Sequence, residues 1–225
     1  MFRLKLKHLI LYNIGPFRGR HIIDLNSESS VTGYAFFAAN GRGKTSIYNA
    51  MKWCLFGQVK TRVRASGGMK IQPKLRPITG EADTEPLMNN DAYENENIPE
   101  MEVILLAEGS QGNIQVSRNV KVYRAVKRKD DNLSHNLVAT VGTKSASGTD
   151  AEELIQKFFP PSLQQFFFID GEALEEYQSM IEQDEVQGLK DDVEAVLRIP
   201  SLTKGLADLE ELGKSLQKKI KIENK

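Results

Sequence analysis

One segment constrains this chain more than any other: Ala38-Ala39-Asn40-Gly41-Arg42-Gly43-Lys44-Thr45, set between an apolar run and a stripe of helical period. It matches the phosphate-binding pattern G-x-x-x-x-G-K-[ST] except that Ala38 replaces the first glycine. Successive backbone amides in such a loop wrap a β-phosphate, which needs small residues and positive φ at Gly41 and Gly43. Lys44 then offers a compact cation to the β- and γ-phosphates, and Thr45 a hydroxyl to Mg²⁺. The amino terminus of the helix that follows adds partial positive charge. The alternative is a chance G-x-G-K-T in a surface turn, and the flanking elements argue against it. Tyr34-Ala35-Phe36-Phe37-Ala38 reads as a strand buried on both faces. Ile47, Ala50, Met51, Cys54 and Leu55 form the apolar stripe of a helix ending near Gly57. The expected ligands are ATP and Mg²⁺.

Around this unit the pattern predicts further strands. Phe2 to Lys7 alternates apolar and charged residues, His21 to Leu25 is a short second strand, and a Gly15-Pro16 turn lies between them. Residues 58–100 are polar, rich in turn formers, and read as an excursion with little regular structure. Met101 to Ala107 and Ile114 to Val126 form a hairpin turning near Ser110-Gln111-Gly112. Residues 129–149 hold one weak strand. Thr149 or Asp150 caps a helix over Ala151 to Phe159, with Glu152 and Glu153 in its first turn, and Pro160-Pro161 ends it. Gln165 to Ile169 reads as another buried strand. Leu202, Leu206, Leu209, Gly213, Leu216 and Ile220 have heptad spacing, a pattern that a surface helix also shows.

Composition excludes several classes. A single cysteine, Cys54, provides no disulfide framework. The longest apolar stretches, Tyr34 to Ala39 and Val103 to Ala107, fall far short of the roughly 18 residues of a membrane span. The amino terminus has no secretion-signal core, so a soluble, cytoplasmic protein with no membrane partner is expected. His8, His21 and His135 are scattered and make no metal site with one cysteine. The net charge of zero hides segregation: residues 1–80 carry 14 Lys/Arg against 2 Asp/Glu, whereas residues 81–113 carry 9 acids and no Lys/Arg. Residues 114–149 are again basic, at 7 against 2, and residues 150–225 acidic, at 9 against 17. Either the basic blocks face a polyanion such as DNA, or the blocks neutralise one another within the fold. The same choice applies to Lys121, Arg124, Lys127, Arg128 and Lys129, a cluster fit for a DNA backbone or for strand-edge protection.

Four stretches carry a family resemblance: Lys7 to Gly19 with its Asn13-Ile14-Gly15-Pro16 turn, Phe36 to Ser46, Ala50-Met51, and Leu55-Phe56-Gly57. Together they resemble the amino-terminal lobe of structural-maintenance-of-chromosomes (SMC)-like ATPases, whose heads are of the ABC type. Leu87 to Ala92 and Phe166-Phe167-Phe168-Ile169-Asp170-Gly171-Glu172 resemble DndD, the ATPase of DNA sulfur modification, and Lamassu-type defence ATPases. The resemblance implies an α/β fold: a P-loop NTPase, an ABC-type head lobe with a mixed sheet and the root of a coiled coil. Residues 1–185 would be the lobe, with a variable excursion at 58–100, and residues 186–225 the helical root.

The resemblance also implies roles. The cradle would run through Ala38, Ala39, Asn40, Gly41, Arg42, Gly43, Lys44, Thr45 and Ser46, with Gly15 and Arg18 near the nucleotide. Asp170 stands where the family has its Q-loop glutamine, either a Mg²⁺-side catalytic carboxylate beside Thr45 or the cap of a following helix. A Walker B strand and a signature motif are not found; Val103 to Glu108 has Ala107 where the metal-side aspartate belongs. In the family both lie in a carboxy-terminal lobe beyond a coiled coil, which implies that this chain is a fragment. The implied partners are that lobe, a second identical head, DNA, and a nuclease or other effector subunit. The implied activity is ATP hydrolysis that requires both lobes and both heads, in phage defence or DNA modification. The alternatives are a DNA-break-repair head and a nucleotide-sensing docking module without turnover.

Overall fold

Alternating apolar side chains on four strands build one buried face, and that face organises everything else. In the computed structural model of this chain, β1 (Lys5–Ile14) and β2 (Phe17–Asp24) form a hairpin. Then come α1 (Lys44–Phe56), β3 (Lys60–Arg64), β4 (Ile71–Leu75), α2 (Asn90–Asn95), β5 (Glu100–Gly109) and β6 (Gly112–Tyr123). β7 (Asn132–Val141), β8 (Lys144–Ser147) and α3 (Gly148–Phe158) complete the order. The structure describes residues 5–26, 33–39, 41–64, 71–80, 85–110 and 112–161, with isolated positions at 164, 168, 208, 209 and 214. The chain divides into two compact units, residues 1–161 and 162–225. The elements named here all belong to the first. Among the described residues no helix is long and apolar enough to cross a membrane.

Six strands pair in the order β2-β1-β5-β6-β7-β8, every pairing antiparallel. The register sets Leu9 opposite Leu105, Leu105 opposite Val116, and Val116 opposite Ala139, so one face is apolar across four strands. The period of two turns the alternate residues to the other face, which is mixed: Glu102, Asn119 and Asn136 stand in one row there, and half-buried Ile10 and Ile104 face each other on it. Helix α1 covers the apolar face over β1, β5 and β6, and α3 covers it over β7 and β8. Ala50, Trp53 and Cys54 are buried at the centre of that contact, and the Cys54 thiol donates weakly to the Val103 and Val116 carbonyls. Burial pushes the Cys54 thiol up to about 12, so it is an inert core residue.

The described strands differ from expectation in several places. Among the described residues the sheet has no parallel pairing, where a mixed sheet was expected. Tyr34 to Ala38, expected as a doubly covered strand, has no strand pairing, and residues 33–39 are all exposed. A central strand needs neighbours on both edges, and the six paired strands leave this run outside their ladder. The Tyr34 hydroxyl instead donates to the Leu25 carbonyl, which ties the run to the end of β2.

Within 58–100 there is regular structure after all: β3 and β4 pair as a separate two-stranded ribbon, and α2 forms a short helix. Asn89 caps α2, its side chain accepting from the Ala92 amide at 2.9 Å. Polar composition hid both, because the ribbon has no long apolar alternation. Similarly, the single weak strand expected over 129–149 is the β7–β8 hairpin. Its apolar positions are sparse, and β6 supplies a full ladder of partners. β1 continues to Ile14, well past Lys7. α3 begins at Gly148 with Ser147 in the cap position, so Asp150 rather than Glu152 or Glu153 occupies the first turn. The strand expected at 165–169 lies outside the described residues except for Phe168, whose amide donates to the Gln164 carbonyl as in a helical turn. Asp170 and nearly all of 186–225 also lie outside them.

Candidate functional site

The phosphate loop is shaped by its glycines. Gly41 and Gly43 have φ of 75° and 97°, the left-handed region that favours glycine. Among described non-glycine residues only Asn13 has positive φ. Ala38 is therefore outside that region, which explains why alanine is tolerated where the pattern has glycine. Gly43 immediately precedes α1 and accepts from the Ile47 amide at 2.9 Å, opening the helix directly from the loop. Gly57 closes the same helix in the left-handed conformation, its amide on the Trp53 carbonyl.

The β1–β2 turn forms the loop's neighbour. A Cβ at Gly43 would sit 2.7 Å from the Phe17 ring and 2.9 Å from Pro16, and one at Gly15 would sit 2.6 Å from Ser46 Oγ. Each glycine thus permits the turn and the loop to approach closely. The turn is itself held from behind by two asparagines. Buried Asn13 accepts from the Gly19 amide at 2.8 Å and donates to Glu96 at 3.0 Å and the Glu100 carbonyl at 2.9 Å. Asn89 donates to the Gly15 carbonyl at 2.7 Å, and the Gly15 amide donates to the Leu87 carbonyl at 2.8 Å. These bonds explain why a chain segment around residue 88 reaches the site.

Together these parts enclose a cavity of about 540 Å³, within the range of small-molecule sites. Gly41, Gly43, Lys44, Thr45 and Ser46 line one side, and Gly15 and Pro16 the turn. Arg76, Glu85, Pro86, Met88 and Asn90 line the rest. Lys44 donates to the Ala38 and Ala39 carbonyls, so its ammonium is held across the neck of the loop. Positive-φ glycines, a lysine and a hydroxyl on one wall fit the phosphates of a nucleotide, and Thr45 brings a hydroxyl oxygen of the kind that Mg²⁺ takes. Asn40, between Ala39 and Gly41, lies outside the described residues. Among the described residues no cluster of three His, Cys, Asp or Glu forms a metal centre of its own.

Arg18, expected near the nucleotide, is held by an acid of the same region. Its guanidinium pairs with Asp91 of α2, and it is not among the cavity's lining residues. Reading the sequence also missed Arg76 and Glu85. Neither belongs to a recognisable pattern, although Leu87 to Ala92 was singled out by resemblance and does reach the site.

Three residues of the basic cluster, Lys121 in β6 and Arg124 and Arg128 beyond it, have partners within the fold. Arg124 donates to the Tyr93 and Glu96 carbonyls and lies over the Tyr93 ring. Arg128 lies 3.8 Å from the centre of that ring and pairs with Glu94 at 3.0 Å. Lys121 faces Glu100 at 3.9 Å, and Lys7 pairs with Glu108 at 2.8 Å, holding the Glu108 carboxyl below its usual range. With Arg18–Asp91 and Arg76–Glu85, the acidic block of 81–113 provides counterions for the basic blocks on either side. Mutual neutralisation accounts for much of the segregation seen in the sequence.

A family model described as an AAA domain (AAA_23) matches residues 8–225. No curated protein matches the chain. The match covers nearly all of the sequence, and the chain belongs to that family, a family of SMC-like ATPases with a P-loop NTPase fold and nucleotide binding as its implied property.

Proposed function

We propose that this member of the SMC-like ATPases is the Mg-ATP-binding lobe of an ABC-type head, coupling ATP-driven closure of two heads to engagement of DNA. The cavity between the phosphate loop and the Gly15-Pro16 turn carries the reading, because left-handed Gly41 and Gly43, Lys44 and Thr45 all converge there. Bound Mg-ATP would supply a phosphoanhydride bond open to in-line attack by water. This chain's residues bind and orient: loop amides and Lys44 hold phosphate charge, Thr45 meets the metal, and Asp170 is the proposed carboxylate on the metal side. Positioning and charge stabilisation supply most of phosphoryl-transfer catalysis. A head lacking its water-orienting glutamate and the opposing signature helix should therefore turn over several orders of magnitude more slowly.

The proposed partners are the carboxy-terminal lobe, a second copy of the head, DNA and an effector such as a nuclease, in the cytoplasm. The exposed run Tyr34 to Ala38 supports the first of these. An apolar segment outside the described ladder is what a sheet completed by another lobe would leave. Residues 186–225 are the proposed root of the coiled coil. DNA engagement rests on the family resemblance and on the basic first 80 residues rather than on the 121–129 cluster. The proposed setting, from the resemblance to DndD and Lamassu-type proteins, is DNA modification or phage defence, with break repair as the alternative.

Turnover tests the reading. The chain alone is expected to bind ATP yet hydrolyse it barely above background. Added carboxy-terminal lobe should restore hydrolysis, at a rate rising more than linearly with head concentration. Robust hydrolysis by the chain alone, independent of its concentration, would contradict the proposal.

A further inference from the structure

The cavity that the phosphate loop lines also carries an ion pair of unequal halves. Arg76 follows β4, and its backbone amide is fixed on the Val59 carbonyl at 2.8 Å. Its Nε donates to the Glu85 carbonyl at 3.0 Å, and its Nη2 to the Glu85 carboxylate at 2.7 Å and the Pro86 carbonyl at 3.4 Å. The Arg76 side chain is only 10% exposed, whereas that of Glu85 is 87% exposed. The guanidinium is thus built into the wall, and the carboxylate is laid over it from solvent. Both line the same cavity as Lys44 and Thr45.

Exchange at such a pair is easy in one direction only. An exposed carboxylate regains its water on leaving, and its attraction to the guanidinium is weakened by solvent. Arginine cannot discharge, and its planar fork donates to phosphate oxygens as well as it does to a carboxylate. A polyphosphate entering the cavity brings more negative charge than Glu85 holds. The bond from Arg76 to the Glu85 backbone can persist through the exchange, because it uses Nε and the main-chain carbonyl.

We propose that Glu85 is a built-in competitor for the nucleotide's phosphates. It holds Arg76 while the cavity is free of anion and yields it to a phosphate oxygen of the entering nucleoside triphosphate. The exposed acid thereby sets how tightly the site takes ATP. This rests on the nucleotide reading above and adds a regulating residue to it.

Equilibrium titration of ATP and of adenosine into the full chain and its variants tests the proposal. Glu85→Gln, a change at an exposed side chain, is expected to tighten ATP binding about two- to fivefold, the strength of an exposed ion pair. Arg76→Ala should weaken ATP by about tenfold or more, as loss of a charge-assisted bond does. Adding Glu85→Gln to Arg76→Ala should bring no further gain, and adenosine, which has no phosphate, should respond to neither change. Unchanged or weaker ATP binding by Glu85→Gln would overturn the proposal, even if Arg76→Ala fails to fold. An equal gain in the Arg76→Ala background would overturn it too, by showing diffuse repulsion instead of competition. Lys44→Ala measured alongside separates the two levels. If it loses ATP binding, the Glu85→Gln result decides for or against the competitor alone. If it binds ATP as before, the nucleotide reading fails and takes the competitor with it.

Discussion

The apolar face of the six-stranded sheet and the exposed arm of residues 33–39, which leads into the phosphate loop, use the same residue types to opposite ends. On the sheet, Leu9, Leu105, Val116 and Ala139 stand in one row across four strands and disappear under α1 and α3. On the arm, Phe36 and Phe37 are 46% and 92% exposed, although their run is as apolar as any in the chain. Burial is therefore set by neighbours rather than by composition: a hairpin brings its partner with it, and the arm does not. The loop that follows the arm needs no such partner. Its glycine conformations and the start of α1 are local, so the loop is formed while the strand before it is not.

The largest expected effect lies on the sheet side. Trp53 is fully buried where α1 meets the sheet, and Trp53→Ala should cost about 3–5 kcal/mol of stability in denaturant unfolding. A cost under about 1 kcal/mol would mean that α1 is not seated on this face. At the junction of the two regions, Gly43→Ala puts a Cβ at φ 97° and 2.7 Å from Phe17. Strain of this kind costs about 1–3 kcal/mol, and the variant should also lose ATP affinity because the turn must move away from the loop. Retained stability and affinity would show that the turn does not press on the loop.

How much of this was legible in the sequence follows the same division. The loop, its helix from Lys44 to Phe56 with Gly57 closing it, and the β5–β6 hairpin are dictated by short-range pattern, and all three are evident in the residues alone. The β3–β4 ribbon and β7–β8 are not, since their strands depend on ladder partners more than on alternation. Arg76 and Glu85 are invisible for another reason: each is an ordinary surface residue type until β4 and the chain around Met88 bring it to the cavity. The basic cluster is legible as charge but not as destination, because Arg124 and Arg128 find Tyr93 and Glu94 only through the packing of α2.

The smallest expected effect is on the arm. Phe37→Ser removes a ring that is almost wholly exposed, so stability should change by no more than about 0.5 kcal/mol. A loss comparable with that of Trp53→Ala would erase the contrast between the two regions. If a carboxy-terminal lobe covers the run, the same variant should weaken association with that lobe, as native gel or light scattering would show.

Nucleotide binding at the loop is tested most directly by calorimetric titration of Mg-ATP into the wild-type chain and Lys44→Ala, with circular dichroism of both. Lys44 is exposed and bonded only to loop carbonyls among its described contacts, so its loss should leave the fold unchanged. Saturable binding at one site is expected in the wild type, with a fall of about a hundredfold or more in Lys44→Ala, the scale of a lost charge-assisted phosphate contact. Equal affinity in two equally folded proteins would contradict this, and the loop between Ala38 and Ser46 would no longer be a phosphate cradle.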